Sequence, residues 1–148
     1  MSLVALATWV TLSQALPPPP RPPRVSPALP AVQALLKQAD AAIARGDLEG
    51  YASLFDFPVL RVTGEGPDGP REQTWTREEF LRALGPTFAN APAYSSHTRS
   101  ASITFLSGAL ATVREEHRLL VGETERVWTS VWVLVRREKK WRFKELAE

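Results

Sequence analysis

A chain of 148 residues, 44% hydrophobic and 23% charged, is long enough for one domain with a real core and too short for two. Its 18 basic and 16 acidic residues leave a formal charge of +2, which gives no basic field for nucleic acid despite a pI near 9.3. The absence of cysteine excludes disulfides, thiolate nucleophiles, Cys-ligated zinc, iron–sulfur clusters and a lipoprotein anchor.

The chain opens with an apolar stretch from Leu3 to Leu12, about half the roughly 20 residues that a membrane-spanning helix needs, so no stable span is expected. It suits the h-region of a secretory signal, and Ser13-Gln14-Ala15 puts small residues at the cleavage positions, although Met1-Ser2 brings no Lys or Arg. The expectation is a signal peptide over 1–15 and a periplasmic or secreted product, with a cytoplasmic chain carrying an apolar tail as the alternative. Eight of the 13 prolines fall between Pro17 and Pro30, which favours extended polyproline geometry and makes 16–30 a semi-rigid linker. One folded domain over 31–148 is then expected.

Val32, Leu35, Leu36, Ala39 and Ile43 recur at helical spacing, which predicts a helix over Val32–Arg45 stopped by Gly46. Asp47 caps a second, short helix with Leu48, Tyr51, Ala52 and Phe55 on one face. Phe57 to Thr63 alternates as a strand, with Pro58 suggesting an edge or first position. The run Gly64–Pro70 reads as a loop, and Gln73-Thr74-Trp75 as a short returning strand. Thr76 and Glu79 form a capping box for a helix bearing Phe80, Leu81 and Leu84 and stopping at Gly85-Pro86. Three long strands follow, near Tyr94–Leu106, Ala109–Val121 and Glu125–Arg136, then a turn at Glu138-Lys139-Lys140 and a last strand from Trp141 to Leu146. The fold class is α+β: about three N-terminal helices packed into the concave face of a curved, mostly antiparallel sheet. Strands of a dozen residues run about 40 Å, so they must coil into a cone, whose open end commonly keeps a cavity.

The order of these elements, the junction Ala44-Arg45-Gly46-Asp47-Leu48-Glu49 and the closing hairpin from Trp132 through a charged turn to Trp141 resemble the nuclear transport factor 2-like superfamily, also called SnoaL-like or ketosteroid-isomerase-like, over Val32 to Glu148. That resemblance implies a cone fold able to host enzymes, ligand binders and partner-binding modules, so function must come from residues. The isomerase base position falls near Thr63, and its oxyanion donors near Ala39 and Val131, so that machinery is not found. The Asp–Arg–Asp set that the resemblance implies for epoxide hydrolases finds no convincing match, because the meander strands hold no aspartate. No cofactor is implied.

The strand before the last hairpin carries the remaining chemistry. Arg114, Glu116 and Arg118 share one face, and Glu115 and His117 the other. Glu115 could orient His117 as an acid–base pair in the cone, or both could sit on a solvated strand end. His97 on the neighbouring strand could approach them, but nothing fixes a metal geometry and no metal site is expected. Tyr51 and Trp75 are candidate pocket walls or plain core, Arg61 is a candidate anion anchor or an edge residue with its head in water, and Val131 is a candidate pocket position from the resemblance. Trp128 and Trp132 share one strand face, and the opposite row of valines is equally apolar, so both faces need cover. The resemblance implies a homodimer through the Trp128/Trp132 face. Two functions stay open: a non-catalytic module binding a small apolar or amphipathic ligand or a protein partner, and an isomerase, cyclase or hydrolase using His117 and Glu115.

Overall fold

The computed structural model describes residues 26–66, 69–89, 96–121 and 123–148, with the backbone alone for 65, 66, 96–98 and 121. The expected signal peptide and most of the linker lie outside the described residues.

Helix α1 (Leu29–Ala44) starts inside the stretch assigned to the linker. Pro30 sits in its first turn, where the missing N–H would have had no intrahelical acceptor. The helix buries Val32, Leu35, Leu36, Ala39 and Ala42, while Ile43 is 43% exposed at the edge of the stripe. Gly46 closes it at φ 65°, and Asp47 caps α2 (Leu48–Ala52) by accepting the Gly50 N–H at 2.8 Å.

Strands β1 (Phe55–Gly66) and β2 (Gly69–Trp75) form a hairpin whose ladder reaches Gly66 and Gly69, so the expected loop over Gly64–Pro70 is mostly strand. A register shift between Thr63 and Glu65 absorbs Gly64. Pro58 is not on an edge: β1 lies between β2 and β6, and its ladder to β6 is interrupted between Phe55 and Leu60. Lys144 fills that gap, donating to the Asp56 and Pro58 carbonyls at 2.9 and 2.8 Å.

Thr76 and Glu79 make the capping box: the Thr76 N–H donates to Glu79 Oε2 at 2.8 Å, and the Glu79 N–H to Thr76 Oγ1 at 3.3 Å. Helix α3 (Arg77–Ala89) runs through Pro86 instead of stopping there. A proline removes one intrahelical bond, and the extra turn places Phe88 5.5 Å from Tyr51, so packing overrides the local stop.

The strands β3 (Ser96–Phe105), β4 (Leu110–Val121), β5 (Thr124–Arg137) and β6 (Lys140–Ala147) complete a six-stranded sheet in the order β2-β1-β6-β5-β4-β3. Every pairing is antiparallel except β1 with β6, which is parallel and joins the hairpin to the meander. Glu138 and Lys139, both at positive φ, form the tight β5–β6 turn. The sheet is open and curved, an α+β cone with the helices in its hollow. One core joins the helices to the concave face, through Val32, Leu36, Tyr51 and Phe80 against Phe55, Val113, Leu134 and Phe143.

Candidate functional site

Strand alternation decides which side chains meet in the hollow. On β4 the row Ala111, Val113, Glu115 and His117 is buried, whereas Arg114, Glu116 and Arg118 are exposed. Cross-strand register sets Arg99 of β3 and Trp128 of β5 on either side of His117, and Ala101 and Ser130 on either side of Glu115. Long side chains then reach diagonally to the next rung. Arg99 Nη1 lies 3.3 Å from Glu115 Oε1 across the small Ala101 position, and Trp132 Nε1–H donates to Glu115 Oε2 at 3.0 Å. His117 Nε2 is 3.0 Å from Ser130 Oγ and 3.5 Å from Glu115 Oε2, and its ring stacks on Trp128 at 4.8 Å.

Arg99 also donates to Asp40 of α1, so one guanidinium bridges a helix carboxylate and a strand carboxylate. That bridge ties α1 to β3 and β4 and compensates the charge of Glu115, which is only 3% exposed. The polar cluster lies on the wall of a cavity of about 710 Å³, large enough for a small organic ligand. Ala39, Tyr51, Trp128, Trp132 and Phe143 supply much of the rest of its lining. Burial pushes the Tyr51 phenol well above its ordinary value, and the nearby charge of Glu115 adds to that rise. Tyr51 therefore stays a neutral hydroxyl throughout the physiological range.

Glu115 and His117 are thus brought together inside the cavity and not on a solvated strand end, with Tyr51 beside them. Other sequence candidates are placed elsewhere. Arg61 is drawn to Glu148 at 2.8 Å and lies over the Trp75 ring at 5.2 Å, and neither Arg61 nor Trp75 lines the cavity. Trp75 packs against Phe80. Val131 points to the outer face, because its neighbours Ser130 and Trp132 take the inner one. The His97 backbone pairs with Leu119, and its side chain lies outside what is described. The Trp128/Trp132 row faces the cavity, with Trp132 also packed on Phe55 and Phe143, so it is not the outer face through which a homodimer was expected; the sheet's outward row is that of Val127, Val131, Val133 and Val135.

The sequence reading missed Asp40, Arg99 and Ser130. An acidic–Arg–acidic array does exist, but one acid comes from a helix and the other is a glutamate, so a search for strand aspartates passes over it. Ser130 had a visible signal, a lone hydroxyl between two tryptophans on an apolar row.

Set beside known proteins, residues 32–146 match the SnoaL-like domain. The chain belongs to that family, within the nuclear transport factor 2-like superfamily. Among solved structures it is similar to an NTF-2 like protein of unknown function from Shewanella oneidensis, at 16% identity over 80% of this chain and 96% of that one, with a TM-score of 0.65. It is also similar to a ketosteroid isomerase-like protein from Erwinia carotovora, at 11% identity over 83% and 95%, TM-score 0.62. A putative scytalone dehydratase from Novosphingobium aromaticivorans aligns at 17% identity over 80% of each chain, TM-score 0.57. Identities this low speak for the fold alone. No curated protein matches the sequence.

Proposed function

We propose that the chain binds a small amphipathic molecule inside the cone, with the apolar body against Trp128, Trp132 and Phe143 and a polar group directed at Glu115, His117 and Arg99. The observation that carries this reading is the pairing of an aromatic-lined cavity of about 710 Å³ with a buried, pre-oriented polar cluster on its wall. A cluster held on three strands and a helix is set before a ligand arrives, which lowers the ordering cost of binding. Titration calorimetry with 1-naphthol, an aromatic body with one hydroxyl, tests it. The expected result is one saturable site per chain, weakened about tenfold or more in Trp128→Ala, which loses one aromatic wall. Heats that never saturate would contradict the reading.

A second reading makes His117 a proton-transfer group positioned by Glu115, and the 3.5 Å contact between the two favours it. In heavy water the chain should then speed deuterium incorporation beside the carbonyl of 2-tetralone, and His117→Ala should lower that rate by about a hundredfold. Equal rates in the two proteins would leave the binding reading alone.

A further inference from the structure

We infer that the chain carries a second ligand site, outside the cone, for a small anion borne on an apolar tail. It lies between α1 and the β5–β6 turn, in a cleft of about 640 Å³ that shares no lining residue with the cone cavity. Its apolar wall is Leu35 from α1, Leu54 after α2 and Trp141 at the start of β6. Its charged wall is Lys139, Lys140 and Arg142, and no carboxylate lines it.

Four observations make these cations more than a solvated turn. Arg142 is held in place, since Nη1 donates to the Ser53 and Phe55 carbonyls at 3.1 and 3.4 Å, which fixes a guanidinium at the cleft. The nearby carboxylate is occupied elsewhere: Asp56 takes Lys144 at 3.3 Å and Arg137 at 3.6 Å. Among the described residues Lys139, Lys140 and Arg142 make no ion pair, so an incoming anion would displace no carboxylate from any of them. The tight turn, with both Glu138 and Lys139 at positive φ, sets the two lysines beside the cleft with little freedom in the backbone. A carboxylate or phosphate head would meet three cations while its tail lay on Leu35, Leu54 and Trp141. A cationic ligand would be repelled, and a bare anion would leave the apolar wall unused.

Octanoate is the probe, followed by ¹H–¹⁵N spectra of the full chain through the Trp141 indole signal, with octylamine and inorganic phosphate as controls. Octanoate is expected to move the Trp141 signal saturably. The exposed-turn variant Lys139→Asn/Lys140→Gln should weaken it about tenfold, while Trp128→Ala should leave it unchanged. Octylamine should produce no saturable shift, and phosphate should bind at least about tenfold more weakly than octanoate. The inference is overturned if octanoate leaves Trp141 unmoved, if the lysine variant binds as tightly as wild type, or if either control matches octanoate. Because 1-naphthol reports on the cone and octanoate on this cleft, the two proposals fail separately.

Discussion

Glu115 and Glu116 are adjacent in sequence and opposite in consequence. Glu115 faces the hollow, 3% exposed, and is held by Arg99 and Trp132 beside His117. Glu116 faces outward, where its contact with Arg118 at 3.6 Å joins two half-exposed side chains. The same carboxylate is a fixed polar element of a cavity in one position and a solvated charge in the next. Burial, and not residue type, separates them: taking a charge out of water demands partners, and partners fixed in space can recognise a ligand.

The comparison breaks most directly at the arginines. Arg99→Leu would leave Glu115 buried without its guanidinium and should cost about 3–5 kcal/mol in chemical denaturation. Arg118→Leu, on the outer row, should stay within about 0.5 kcal/mol. Similar losses for both would show that the inner row is no more constrained than the outer one.

A smaller effect follows from Tyr51, whose folded-state value is raised by burial above the unfolded one near 10. A group raised in this way leaves stability intact below about pH 10 and removes it as the pH climbs further, because the unfolded chain releases the proton more readily. Absorbance at 295 nm should therefore show a tyrosinate component that appears only as the fold is lost, and that is missing in Tyr51→Phe. Its appearance while the circular dichroism is still native would contradict the burial.

Smallest is the exposed cap of α3. Hydrogen bonds from the Thr76 backbone and hydroxyl hold the Glu79 carboxyl below its ordinary value. The sign is opposite to that of Tyr51: the contribution is present above the ordinary carboxylate range and is lost as the pH falls through the folded value. The gap in melting temperature between wild type and Thr76→Ala should be open at neutral pH and shrink below about pH 4. A gap that does not change with pH would show that the Thr76 hydroxyl adds nothing through the carboxylate.

Much of this fold was legible because its signals are local. Helical spacing gave α1, Asp47 and the Thr76/Glu79 box gave two helix starts, and alternation gave the long strands and split β4 into two rows. Reading failed where tertiary packing wins. The turn of α3 beyond Pro86 exists because Phe88 meets Tyr51, and the hairpin at Gly66 and Gly69 exists because a bulge lets the ladder continue through Gly64. The site was half legible. Glu115 and His117 share a row by alternation alone, but Asp40 and Arg99 join them only through the β3–β4 register and the seating of α1, which no single segment encodes. The facing of β5 needed the same knowledge: both of its rows are apolar, so the sequence could not say that the tryptophans turn inward and the valines outward.

The four tryptophans among the described residues make the direct test. Trp128 and Trp132 line the cone cavity, Trp141 lines the outer cleft, and Trp75 packs on Phe80 away from both. Titrating 1-naphthol into the ¹⁵N-labelled chain should shift the indole signals of Trp128 and Trp132 together and saturably, with Trp75 and Trp141 unmoved. Shifts confined to Trp141 or Trp75, or no saturable shift at Trp128 and Trp132, would contradict the account of the cone as the binding site.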